Sequence, residues 1–298
     1  MYKKFDNWDG VGRCLAPMKK KLLIKTKSNL EMATHIVGTG RPVLCLSGFG
    51  CSHYNFEFFI PHLSSTMQMI MLDNRGMGES SDLFESYPLS SLATDALEVM
   101  DQLGHDKFDV IGISMGGFVA QLLTLMAPER VKTLSLLCTT SGGADFIPLP
   151  KMDKETLNRF QAIAEPKRTE IAIEATVHPT LKIENPKLFQ DIVELRRSHP
   201  ARLEQLLLQK EAVDKFLATE IELSKISCPT LVMTGDADRF VNPQNAIYLS
   251  NKIKNSELVM IEKTDHLFFL EKTEESSRAL LRFLNKHHGE EYENCAQK

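Results

Sequence analysis

The chain has 298 residues, 43% of them hydrophobic, and a formal net charge of -4. That suits one large α/β domain with room for an insertion and ample apolar material for a core. No charge block points to nucleic acid, since Lys19-Lys20-Lys21 is short and runs into a strand pattern, and no apolar run approaches the length of a membrane span.

The first residues, Met1-Tyr2-Lys3-Lys4-Phe5-Asp6, carry no apolar stretch behind their lysines, which argues against a signal peptide. Of the six cysteines, Cys14, Cys45, Cys51, Cys138, Cys228 and Cys295, none pairs in a CxxC, and Cys45 and Cys138 fall in apolar runs. They read as buried free thiols of a cytoplasmic protein. No metal-ligand spacing is visible, and no metal is expected.

Residues 20–46 read as three strands: Leu22–Thr26, Leu30–Val37 up to the turn Gly38-Thr39-Gly40, and Pro42–Leu46 running into Ser47-Gly48-Phe49-Gly50. Met67–Asp73 is a further strand. A helix covers about 90–103, with Leu92, Ala96, Val99 and Met100 on one face. Lys107–Ile111 is a strand and Gly117–Met126 a helix that Pro128 closes, and Val131–Leu137 gives the next strand. None of the 16 glycines lies between Gly143 and Gly235. That interval is charged, and prolines 148, 150, 166, 179, 186 and 200 cut it into short helices, with Leu188, Ile192 and Leu195 on one face and Leu203, Leu207 and Val213 on another. Strands resume at 230–234 and 258–261, and a helix over about 274–286 ends the pattern. Alternating strands and helices predict a doubly wound, mostly parallel sheet. The expected organisation is a core over 1–143 and 223–298 with a helical insertion over 144–222.

Between the strand near 107–111 and the helix after it stands Gly112-Ile113-Ser114-Met115-Gly116-Gly117. A serine among close glycines at a strand-to-helix turn is a nucleophile elbow. Small neighbours let the serine adopt a sparsely populated backbone conformation, and the helix N-terminus favours developing negative charge. A serine hydroxyl needs a base, and the base an orienter. Two later loops at strand C-termini supply them: Gly235-Asp236-Ala237-Asp238-Arg239-Phe240-Val241, and Glu262-Lys263-Thr264-Asp265-His266. From their position alone, Asp236 and Asp238 are both candidate acids.

The whole pattern resembles the α/β-hydrolase superfamily. The resemblance rests on the elbow, on Leu72-Asp73-Asn74-Arg75-Gly76-Met77-Gly78-Glu79-Ser80, on Ala127-Pro128-Glu129-Arg130-Val131, and on His266 with Glu271 five residues later. It implies an α/β-hydrolase fold with a helical lid at 144–222, Ser114 as nucleophile, His266 as base, and Asp238 as acid, because the family places its acid three residues after this glycine. It implies an oxyanion hole from the backbone N–H groups of Phe49 and Met115. Ser47 stands where the family has His, Asp265 where it has Gly, and Asn242 where it often has Pro. Arg75 reads as an anchor for its loop, His53 as a solvent-edge histidine, and Phe240 and Leu267 as pocket lining or core. His105, His178 and His287 carry no pattern. The implied activity is that of a cofactor-free serine hydrolase acting on a small ester, lactone or related acyl substrate, similar to the 3-oxoadipate enol-lactonase-like and small carboxylesterase members. The rivals are a C–C bond hydrolase of the meta-cleavage type, whose relatives usually carry Trp where this chain has Leu267, and a ligand receptor on a hydrolase scaffold.

Overall fold

A computed structural model describes residues 19–151 and 153–288 of the chain. The readings on residues 1–6, Cys14 and Cys295 lie outside the described residues.

Eight strands form one sheet: β1 (Lys20–Lys25), β2 (Glu31–Val37), β3 (Arg41–Leu46), β4 (Met67–Leu72), β5 (Phe108–Ile113), β6 (Val131–Leu137), β7 (Thr230–Gly235) and β8 (Ser256–Ile261). Their spatial order is β1-β2-β4-β3-β5-β6-β7-β8. The hairpin β1–β2 and the β2–β4 pair are antiparallel, and every other neighbour is parallel. The sheet is thus mostly parallel, as expected. Every residue of β5 and β7 is buried, because helices cover both faces.

The helices in chain order are α1 (Ile60–Leu63), α2 (Ser90–Gln102), α3 (Met115–Met126), α4 (Lys154–Gln161), α5 (Lys167–Glu174), α6 (Leu181–Glu184), α7 (Pro186–Arg197), α8 (Leu203–Leu217), α9 (Gln244–Lys252), α10 (Phe268–Glu271) and α11 (Thr273–Lys286), with a 3₁₀ segment His53–Phe59 before α1. Alternation along the strands sends side chains to opposite faces. Leu44, Leu46, Val110, Leu134, Leu136 and Val232 join α2, α3, α8 and α9 in one apolar cluster. Val43, Cys45, Ile111, Ile113, Leu231 and Met233 join α1, α7, α10 and α11 in a second.

The face read for α2 is buried as expected. In α7 the buried residues are Phe189, Ile192 and Val193, so the face is turned from the one read through Leu188 and Leu195. β5 runs on to Ile113 and α3 starts at Met115, which leaves Ser114 as the single connecting residue. Helices α4 to α8 lie between β6 and β7. The short helical pieces at 53–63, 244–252 and 268–271 had no sequence reading. The first divides into a 3₁₀ segment of seven residues and a helix of four, and the last has four, each too few for a period to declare itself.

Candidate active site

Ser114 sits at φ 53°, ψ -118°, a conformation an L-residue adopts only under constraint. The constraint is visible. Its N–H donates to Leu137 O (2.8 Å), and its carbonyl accepts from Gly117 N–H (2.8 Å) and Thr139 Oγ1 (2.7 Å). A Cβ on Gly112 would meet Gly116 O at 2.4 Å, and one on Gly116 would meet Leu46 O at 2.0 Å. Those glycines are required by close backbone approach rather than by a left-handed φ.

The loops after β7 and β8 bring the predicted partners to this point. His266 Nε2 lies 3.1 Å from Ser114 Oγ, and His266 Nδ1 lies 2.9 Å from Asp238 Oδ2. Asp238 is 4% exposed, and its other oxygen accepts Phe240 N–H (2.9 Å) and Val241 N–H (2.7 Å). Asp236, by contrast, is exposed, and its carboxylate accepts only a long 3.4 Å bond from Thr264 N–H. Met115 N–H is the first donor of α3, and such donors have no acceptor within their own helix. Gly48 N–H donates to Asn55 Oδ1 (3.1 Å) and Cys51 N–H to Gly48 O (3.1 Å), which fixes the turn that carries Phe49.

Each departure from the family pattern has a local partner. Ser47 Oγ donates to Ser52 O (2.8 Å), closing the turn that the family's His would occupy. Asp265, fully buried, accepts Arg239 N–H (2.8 Å), Arg239 Nε–H (2.5 Å) and His266 N–H (2.8 Å), so it ties the loop of Asp238 to the loop of His266. Asn242 Oδ1 accepts Gln244 N–H (3.0 Å) at the start of α9.

Ser114 opens onto a cavity shared with Phe49, Met115, Phe118 and Phe240 and with residues of the inserted segment, Phe146 and Leu208 among them. Phe240 also lies 5.0 Å from the His266 ring. Leu267, read as a possible pocket residue, is not in this lining: its side chain packs on the second apolar cluster and its N–H donates to Thr176 O (2.9 Å).

The reading of His53 needs correction. His53 is buried, not at the solvent edge; its N–H and Nδ1 both meet Asp73 Oδ1, at 2.8 and 3.0 Å. It stacks on His35 with ring centroids 3.5 Å apart. Burial drives the Asp73 carboxyl up, but hydrogen bonds from His35 and His53 outweigh it and hold the group well below the usual range. Donor atoms of His35, His53 and Asp73 lie within 4.8 Å of one another, a spacing that could hold a cation. Residues this far apart in sequence show no ligand motif. His178, patternless in sequence, donates its N–H to Glu271 Oε2 (2.8 Å), while Asp265 N–H donates to Glu271 Oε1 (2.8 Å). Burial pushes the Glu271 carboxyl up to about 7 against those two hydrogen bonds. Arg75 does anchor its loop, with Nε and Nη2 each 2.7 Å from the Asp95 carboxylate. The four described cysteines are free.

Sequence reasoning missed the side chains that join α7 and α8 to the turn at 48–51. Gln209 Oε1 accepts Gly50 N–H (2.7 Å), and Arg196 Nη1 donates to Gly50 O (2.7 Å) and contacts Tyr54 Oη. The one available signal was Gln209 itself, a polar residue at helical spacing among Leu206, Ala212 and Val213.

The model of the alpha/beta hydrolase fold matches residues 41–273. The chain belongs to that family. It is a hydrolase of the alpha/beta fold. It is 28% identical over 251 residues to a 2-hydroxy-6-oxononadienedioate/2-hydroxy-6-oxononatrienedioate hydrolase of Pseudomonas putida, covering 80% of this chain and 83% of the relative. It is 29% identical over 251 residues to a poly(3-hydroxyalkanoate) depolymerase of Ectopseudomonas oleovorans, covering 82% and 84%. Among solved structures it resembles a thermophilic esterase from Thermogutta terrifontis, with TM-score 0.77, 24% identity, and 91% and 99% of the two chains covered. No helix among the described residues is long and apolar enough to cross a membrane.

Proposed function

We propose that this hydrolase is a serine enzyme that cleaves a small ester, lactone or related acyl substrate through an acyl-enzyme. The observation that carries this reading is the relay Ser114 Oγ to His266 Nε2, 3.1 Å, and His266 Nδ1 to Asp238, 2.9 Å. Asp238 holds the Nδ1 proton, which leaves the Nε2 lone pair facing Ser114. His266 takes the hydroxyl proton as Oγ attacks the carbonyl carbon. The N–H groups of Phe49 and Met115 and the N-terminus of α3 stabilise the oxyanion. As the tetrahedral species collapses, His266 returns the proton to the departing oxygen. Water, deprotonated by His266, then releases the acid and restores Ser114.

In this reading the segment 144–222 is a lid that shapes the acyl pocket and limits water, supported by its share in the cavity lining. The partner is a small-molecule acyl substrate in the cytoplasm, with no cofactor, nucleic acid or membrane. A fluorophosphonate probe should add to Ser114, and Ser114→Ala should lower kcat on an activated ester by about 10⁶-fold, as in other serine hydrolases. Retention of a tenth of the activity removes the assignment.

A second reading, C–C bond hydrolysis of the meta-cleavage type, is favoured by the likeness to the Pseudomonas putida nonadienedioate hydrolase. Turnover of a ring-cleavage dioate in preference to esters would select it. Stoichiometric binding without multiple turnover would select a receptor instead.

A further inference from the structure

The cavity at Ser114 holds about 1100 Å³, slightly above the usual range for a small-molecule site. Most of its lining residues are apolar. Phe49, Leu208 and Leu217 are half-buried, with part of their surface against the core and part on the cavity. The charged lining residues are three lysines and four carboxylates, so they offer no net cationic site. Lys151 and Lys154 are exposed, and Lys210 is bound to Asp214 at 2.6 Å. No arginine lines the cavity among the described residues. A dianionic substrate has no buried cation to replace its hydration there, and its carboxylates would carry a desolvation cost.

The walls are also lopsided. Phe240 is the only lining residue from the loops that carry Asp238 and His266. The rest are Ser114 and residues of the oxyanion turn, the 83–84 loop, α3, the stretches 146–151 and 153–154, and α8. With the carbonyl oxygen between Phe49 and Met115, the leaving oxygen must face His266 to receive its proton, so the acyl group extends the other way. That is the side with most of the lining, where Phe118, Phe146, Leu149, Leu207, Leu208 and Leu217 present apolar surface between the charged residues of α8 and those at 151 and 153–154. Resting on the serine-hydrolase reading above, we propose that the preferred substrate is an uncharged ester or lactone with a long apolar acyl chain laid against α8.

The test uses the whole chain and 4-nitrophenyl esters from acetyl to decanoyl, beside a series of acetates of lengthening linear alcohols. Each added acyl methylene should raise kcat/KM by up to about fourfold until the cavity is filled, from about 0.8 kcal/mol per buried methylene. The alcohol series should stay nearly flat. Filling the wall with Leu208→Trp should move the acyl optimum to shorter chains. A flat or falling acyl profile, a steeper alcohol series, or preference for a dicarboxylate substrate overturns the proposal. Fluorophosphonate labelling separates the two levels. Labelled Ser114 with a flat acyl profile removes only the long chain, whereas absence of labelling removes the serine-hydrolase reading and this proposal with it.

Discussion

Asp236 and Asp238 occupy one loop after one strand, and sequence position alone left both open. Environment separates them: Asp238 is buried and its carboxylate takes three hydrogen-bond donors, whereas Asp236 faces solvent. Asp238→Asn should reduce kcat by about 10⁴-fold by favouring the wrong imidazole tautomer, and Asp236→Asn should leave steady-state kinetics near wild type. The reverse ranking would move the acid. Glu271 has a different signature. Its carboxyl titrates at about 7 in the fold against an ordinary value of 4.5, so between those values the native state keeps a proton the unfolded chain has lost. Stability from this site is therefore full below the lower value and lost as pH rises through the upper one, a swing of at most about 3 kcal/mol. Glu271→Gln stays neutral throughout. Its Tm relative to wild type should improve from about pH 5 to about pH 8, and a pH-independent difference would show that Glu271 does not titrate there.

At the scale of elements, what was legible was local. The elbow declared itself because strand, serine, glycines and helix are contiguous, and the loops that carry Asp238 and His266 stood out at strand C-termini, in the chain order that the family resemblance implies. What was hidden depends on contacts between distant segments. The grip of Gln209 and Arg196 on Gly50 spans 159 and 146 residues of sequence, and the burial of His53 depends on Asp73, 20 residues on. The α7 face was misread because Phe189 packs on the second apolar cluster, which no helical period can announce. The Gly50 peptide, held at both its N–H and its C=O, follows Phe49 directly. Gln209→Ala should loosen that turn and lower kcat by about 10–100-fold, less than outright loss of an oxyanion donor, with a smaller change in KM and slower fluorophosphonate labelling. Unchanged kcat with a lowered Tm would make Gln209 purely structural.

Across the whole molecule, the inserted helices belong to both sides of the sheet. Ala212, Val213 and Phe216 of α8 sit in the cluster with α2 and α3, with Phe216 stacked on Phe118 at 4.9 Å, whereas Phe189, Ile192 and Val193 of α7 sit in the cluster with α1, α10 and α11. The segment therefore works as a keystone, and it is not an exchangeable cassette. A graft of 144–222 from a relative brings a foreign underside into two cores at once and should cost stability however well its upper surface suits a new substrate. Re-engineering has a narrower route. Changing only Leu207, which is half-buried, lines the cavity and belongs to neither apolar cluster, should alter substrate preference with Tm within a few degrees of wild type. Phe216→Ala, a buried truncation, should cost about 3–5 kcal/mol. Equal stability losses from both kinds of change would mean that the two faces of α8 do not divide recognition from support.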